Sequence, residues 1–172
     1  LALCPEDRKD QGIVARQSVK NNISMAILPS LVRHGLIDKK AETEIANKGK
    51  RDLNIKTPDV EKRLGELSGG NQQKTILARW LASKPAVLIL DEPTKGIDVG
   101  SKSEIYQIIC DLSKQQIGVI VISSELTEIM GVCDRILVMC QGRITGEVTR
   151  EEATEHTILT YAMADMLGGR QQ

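Results

Sequence analysis

The chain has no phenylalanine, and aromatic residues make up only 2% of it. Stacking platforms for single-stranded nucleic acid are therefore missing. The 23 basic and 23 acidic side chains cancel to a net charge of zero, so no basic field points to a nucleic-acid partner either. There is no Cys-x-x-Cys pair. Cys4, Cys110, Cys133 and Cys140 are scattered, which argues against a metal site or a disulfide frame. They read as buried thiols in a reducing cytosol. No apolar run approaches the roughly 20 residues of a membrane span, and the first residues carry no signal-like pattern. Any membrane role must pass through a partner. The only histidines, His34 and His156, read as surface residues away from any candidate site. No internal repeat or low-complexity segment occurs. No Gly-x4-Gly-Lys-Ser/Thr occurs, so a backbone phosphate nest closed by a lysine is absent.

What is present is 172 residues, one domain or part of one, with 41% hydrophobic content and thus enough apolar surface for a sizeable core. The most informative stretch is Leu67-Ser68-Gly69-Gly70-Asn71-Gln72-Gln73. Ser68 has the chemistry of a helix N-cap, and Ile76, Leu77, Trp80 and Leu81 follow on one face at helical spacing. Such a start presents bare backbone N–H groups at the positive end of a helix, where an anion such as phosphate can sit. Taken alone, the residues favour an ordinary capped helix whose glycines make a turn.

About ten residues on, Val87-Leu88-Ile89-Leu90 is a short apolar run ending in Asp91-Glu92-Pro93-Thr94. A buried strand that delivers carboxylates at its C-terminal end is where open α/β sheets place their chemistry. Asp91 can hold a magnesium ion through water, and Glu92 can polarise an attacking water. Neither motif is decisive alone. The order of anion-binding helix start, linking helix and strand ending in Asp-Glu is a far rarer coincidence.

The remaining elements follow from caps and breakers. Leu1–Cys4 reads as the end of a strand and Pro5–Gly12 as a charged loop. Ser18 opens a helix around Ile23, Ala26 and Ile27, which Pro29 perturbs or ends. Asp38 caps a second helix from Lys39 to about Leu53, with Ala41, Ile45 and Ala46 inside. Pro85 marks the end of the helix begun at Gly69. Gly96-Ile97-Asp98-Val99-Gly100-Ser101-Lys102-Ser103 imitates a phosphate loop, but Ser101 separates the second glycine from the lysine. It is better read as a turn and the cap of a helix with a core stripe of Ile105, Ile108, Ile109 and Leu112. Gly118–Ile122 is a second fully apolar strand. Two strands flanking Cys140-Gln141-Gly142 form a hairpin. A last helix turns Ile158, Leu159 and Met163 inward, and Gly168–Gln172 reads as a frayed end.

Leu67-Ser68-Gly69-Gly70 with its helix, followed by the strand ending in Asp91-Glu92-Pro93-Thr94, resembles the ATP-binding cassette ATPases. The fuller wording, from Leu67 to Gln73 and from Asp91 to Gly100, resembles the second cassette of bacterial monosaccharide importers of the ribose, arabinose and galactose type. The resemblance runs from Cys4-Pro5-Glu6-Asp7-Arg8-Lys9 to about Met163. It implies an α/β fold: a partial, three-layer core of the P-loop nucleotidase type with a mainly parallel sheet, plus a small helical subdomain. Residues 1–12 would be the end of a core strand and a metal-sensing loop. Residues 13–83 would be the helical subdomain that docks on a transmembrane sugar permease, and 84–172 the rest of the core. The phosphate loop would lie upstream of Glu6, so the chain looks like the C-terminal part of a longer polypeptide whose sheet is left with an uncovered edge. Alone it should be marginal or self-associating, and it should not hydrolyse ATP.

The same resemblance assigns roles. Ser68, Gly69, Gly70 and Asn71 would bind the γ-phosphate of an ATP held by a second cassette, in the same polypeptide or a homodimer. Asp91 and Glu6 would serve Mg2+, with Glu6 standing where most cassettes carry Gln. Glu92 would be catalytic, and Asp98 would sit in the loop facing the partner cassette. Ser124 would take the place of the usual His at the γ-phosphate, and a Ser cannot carry its positive charge. Partners would include, indirectly, a periplasmic or surface sugar-binding protein, and no nucleic acid. The location would be cytoplasmic, on the inner face of the membrane through the permease. A second possibility is a non-enzymatic module that only completes a partner's ATP site. A third, a soluble cassette protein of translation or DNA maintenance, lacks the basic or coiled-coil insertions that such proteins tend to carry.

Overall fold

A computed structural model of the chain describes residues 1–164, and its contacts fall into two units, Leu1–Ile122 and Ser123 onward. The frayed end expected at Gly168–Gln172 lies outside the described residues. The first unit is organised by three parallel strands, β1 (Ala2–Cys4), β4 (Val87–Asp91) and β5 (Gly118–Ile122), in the order β1-β4-β5. The register sets Cys4 beside Leu90 and Leu90 beside Val121. Strand side chains alternate between faces, so Ala2, Cys4, Leu88 and Leu90 share one face and all are buried.

The opposite face is open. Leu3, Ile120 and Ile122 are about half exposed, at 47%, 50% and 49%. The expected apolar strand Gly118–Ile122 forms, but it is only partly buried. Continuous hydrophobicity cannot show which face is covered, and here the bare apolar surface is a sheet face as well as an edge.

Between β1 and β4 lies the helical part. Ser18 caps α1 (Val19–Ser24) by accepting from the Asn21 N–H. The chain then tightens into a 3₁₀ stretch over Met25–Leu31 that contains Pro29. A hairpin of two-residue strands, β2 (Val32–Arg33) and β3 (Leu36–Ile37), follows. The sequence reading missed it, although His34 and Gly35 both adopt the positive φ that such a turn needs. Asp38 caps α2 (Lys39–Asp52) through the Lys40 and Ala41 amides, as expected. Ala46 is fully buried in α2, but so is Glu42, while Ala41 and Ile45 are only half-buried. The Glu42 carboxylate is matched by the Ser24 hydroxyl at 2.7 Å and Lys39 Nζ at 3.0 Å.

Helix α3 (Gly69–Ala82) packs against α1, α2 and β1. It is not the one-faced helix its spacing suggested. Ile76 and Leu77 are fully buried and Trp80 and Leu81 half-buried, but Gln73, Lys74 and Arg79 are buried too. Buried charges need partners, and these have them. Arg79 donates to Asn22 O and Gly12 O, each at 2.7 Å, and to Asn22 Oδ1 at 2.9 Å. Lys74 donates to Asn54 O at 3.0 Å and pairs with Glu104. Glu104 stands on α4 (Val99–Lys114), whose Ile105, Ile109 and Leu112 are buried and whose Ile108 is half-buried.

In the second unit, β6 (Arg135–Cys140) and β7 (Arg143–Thr149) form the expected antiparallel hairpin. Its two-residue turn has Gln141 and Gly142 both at positive φ. Ile136, Val138 and Val148 share a small core with Ile158 of α6 (Glu155–Ala162), and Leu126 and Ile129 of α5 (Leu126–Val132) pack on it. Leu159 and Met163, expected inside, are each 46% exposed, because an eight-residue helix against a two-stranded hairpin buries only one narrow stripe. Cys4 is buried as expected, but Cys110, Cys133 and Cys140 are only half-buried. His34 and His156 are exposed.

Candidate functional site

Strand β4 ends at Asp91, and the chain turns sharply at Glu92, which has φ +45°. A non-glycine residue in this left-handed region costs about 1–2 kcal/mol. The Glu92 N–H is held at 2.8 Å by the Ile122 carbonyl at the end of β5. Two turns follow, Lys95 N–H to Glu92 O and Ile97 N–H to Thr94 O. They bring the chain to Asp98, whose carboxylate caps α4 by accepting from the Ser101 N–H at 3.0 Å. That backbone hydrogen bond holds the Asp98 carboxyl below its usual range. Asp98 and Val99 are both exposed, Val99 at 84%.

Glu6 lies in the loop after β1, where Asp7 accepts from the Lys9 and Asp10 amides and nucleates a π-type turn over Arg8–Gly12. The Glu6 carboxylate is bonded to Lys95 Nζ at 2.5 Å. Arg8 crosses the same gap and donates to Lys95 O at 3.2 Å and Gly96 O at 3.5 Å. Its Nε is buried without a hydrogen-bond partner, and burial pushes the guanidinium pKa down. Glu6, Asp7, Arg8, Lys9 and Lys95 line a cleft of about 290 Å³.

The start of α3 meets the same loops. A side chain on Gly69 would come within 3.1 Å of Arg8 Nη2 and 3.3 Å of Gly96 O. On Gly70 it would overlap Ser101 at 2.5 Å, so Gly70 is buried against α4. Ser68 occupies the N-cap position, but its hydroxyl caps no backbone amide, which corrects the expectation. Asn71 Nδ2 donates to Ser68 Oγ at 2.8 Å, and Asn71 Oδ1 accepts from the Lys56 N–H at 2.7 Å. Among the described residues no side-chain cap takes the first amides of α3, and Ser68 is exposed beside a half-buried Gly69.

One unit thus holds Glu6, Ser68, Gly69, Gly70, Asn71, Asp91, Glu92 and Asp98. Ser124 belongs to the second unit, exposed just before α5. Arg8 and Lys95 escaped the sequence reading. The signal for them was present: opposite charges stand in Glu6–Lys9 and in Lys95, beside the two loops already singled out. Among the described residues no three His, Cys, Asp or Glu side chains converge as a metal cage. Hard carboxylate oxygens at Asp91, Glu92 and Glu6 suit magnesium, which is commonly held by one or two carboxylates together with phosphates and water.

A parallel sheet with a carboxylate pair at a strand end, beside a helix that starts on glycines, is the arrangement in which open α/β proteins place their chemistry. The chain belongs to the family described as ABC transporter, whose pattern matches residues 3–95, more than half of its length. It is 51% identical over 165 residues to the arabinose import ATP-binding protein AraG of Paraburkholderia xenovorans (strain LB400), covering 95% of this chain and 32% of that protein. It is 52% identical over 163 residues to the ribose import ATP-binding protein RbsA of Rhodopirellula baltica, covering 95% of this chain and 32% of that protein. The chain spans about a third of the length of these relatives. Among solved structures, the fold is similar to an inward-facing metal-chelate type ABC transporter, with TM-score 0.74 and 20% identity over 88% of this chain and 60% of that one. It is also similar to a dimeric ATP-binding cassette in a post-hydrolysis state bound to ADP and Pi, with TM-score 0.70 and 18% identity over 86% of this chain and 62% of that one.

Proposed function

We propose that this chain is the C-terminal part of the ATP-hydrolysing subunit of a monosaccharide importer, working at the face between two cassettes. The observation that carries the reading is the uncapped, exposed start of α3 in the same unit as the Asp91-Glu92 strand end. The relatives named for arabinose and ribose import support the substrate class.

In this reading Ser68 and the first amides of α3 donate to the γ-phosphate of an ATP that the other cassette holds. Negative charge builds on that group during transfer, so fixed donors there stabilise the transition state. Asp91 and Glu6 would hold the magnesium of this cassette's own nucleotide, and the ion, when bound, neutralises phosphate charge. Glu92 orients and deprotonates the attacking water, with its backbone fixed by the bond to Ile122. Asp98, exposed at the start of α4, faces the second cassette, and Ser124 contributes one neutral hydrogen bond. Residues 13–83 dock on the permease, which places the subunit on the cytoplasmic face. No helix among the described residues is long and apolar enough to cross a membrane itself.

The test is ATP hydrolysis by the full-length protein. Glu92→Gln should lower turnover by about a hundredfold or more, the usual contribution of a positioned base, while ATP still binds. Unchanged turnover would contradict the assignment.

A further inference from the structure

Lys95 carries no role in the reading above, yet it makes the tightest contact in the cleft. Its ammonium bonds Glu6 at 2.5 Å, and the carboxylates of Glu92 and Asp7 also act on it electrostatically. The pair joins the loop after β1 to the loop after β4, across a cleft that Asp7, Arg8 and Lys9 also line. Arg8 secures the other end of Lys95, since its guanidinium holds the Lys95 and Gly96 carbonyls.

Stability does not account for the pair. Lys95 and Glu6 side chains are 62% and 50% exposed, and ion pairs that open to water contribute little to folding. What the ammonium does at this position is neutralise carboxylates. A divalent cation reaching Glu6 has the same task and competes for the same oxygen atoms.

We propose that Lys95 is the built-in counter-cation of Glu6, a positioning residue that a divalent metal ion must displace before Glu6 can ligate it. This rests on the reading of Glu6 and Asp91 as metal-serving residues. Lys95 then sets how strongly the site holds its metal. With the ammonium in place, Glu6 is occupied and the local field is less negative. When metal and nucleotide arrive together, Lys95 swings out on its four-carbon stem, and the Arg8 contacts to the backbone keep the 94–97 loop in place.

The test is Mn2+ binding to the full-length protein with a non-hydrolysable ATP analogue, followed by electron paramagnetic resonance. Lys95→Met should tighten Mn2+ binding by roughly three- to tenfold, the effect of removing one nearby positive charge in a partly solvated cleft. Lys95→Arg should stay near the unsubstituted protein. Glu6→Gln should weaken Mn2+ binding, and in the Glu6→Gln background Lys95→Met should gain less than it does alone. A purely structural pair would shift the thermal midpoints of Lys95→Met and Glu6→Gln and leave Mn2+ affinity alone. Unchanged or weaker binding in Lys95→Met overturns the counter-cation role while the metal site stands. No Mn2+ binding by the unsubstituted protein overturns the reading of the site and this role with it.

Discussion

Ser101 fills the space that a side chain on Gly70 would need: a Cβ there would lie 2.5 Å from both Cβ and Oγ of Ser101. The second glycine of the Ser-Gly-Gly start is therefore a packing residue. It lets α3 and α4 approach, while Ser68 and Gly69 keep the open corner.

Gly70→Ala should destabilise the chain by about 1–3 kcal/mol, the range for forcing atoms into a packed contact. Urea unfolding of Gly70→Ala against the unsubstituted chain measures it. Ser101→Gly in the same background removes the overlapping atoms and should recover part of the loss. A Gly70→Ala protein as stable as its parent would show that the helices separate freely.

Arg79 anchors the other end of α3. Replacing it with Met leaves the carbonyls of Asn22 and Gly12 without their donors in a buried setting. The expected loss is about 3 kcal/mol or more, since each bond to a charged donor contributes about 1.5–3 kcal/mol. Asn22→Leu should cost less after Arg79→Met than before it, because the two side chains form one network. Additive losses would mean that they act separately.

Caps are local, so Ser18, Asp38 and Asp98 were legible, each bonding amides two or three residues on. The strand ending in Asp91-Glu92 and the turn at Gln141-Gly142 were legible for the same reason. Burial depends on what arrives from elsewhere in the chain. Arg79 and Lys74 look like a solvated helix face until Asn22, Gly12, Asn54 and Glu104 close around them. Ser68 has the chemistry of a cap, but Asn71 claims its hydroxyl. The Glu6–Lys95 pair spans loops far apart in the chain, beyond any local pattern.

Cys4 is fully buried on the covered face of β1, and burial pushes its thiol from the ordinary 9.0 up to about 12. In the native protein it should resist iodoacetamide at pH 8, while the half-buried Cys110, Cys133 and Cys140 react faster. Peptide mapping of the labelled sites reads this directly. Because the folded value is the higher one, stability contributed by the protonated thiol is complete below pH 9.0 and is lost as pH rises toward 12. The stability of Cys4→Ala should therefore fall less steeply over that interval than that of the parent. Equal slopes, or fast native labelling of Cys4, would show that its thiol is not buried in solution.

The most direct test of the account is steady-state ATP hydrolysis by the full-length protein carrying Ser68→Arg. The substitution fills the exposed corner at the start of α3 and leaves Asp91, Glu92 and Glu6 unsubstituted. If that corner donates to the nucleotide of the opposing cassette, turnover should fall by about a hundredfold or more, the cost of losing a preorganised donor, while each cassette still binds ATP. Turnover at the level of the unsubstituted protein would contradict the account, because the start of α3 would then have no part in the reaction.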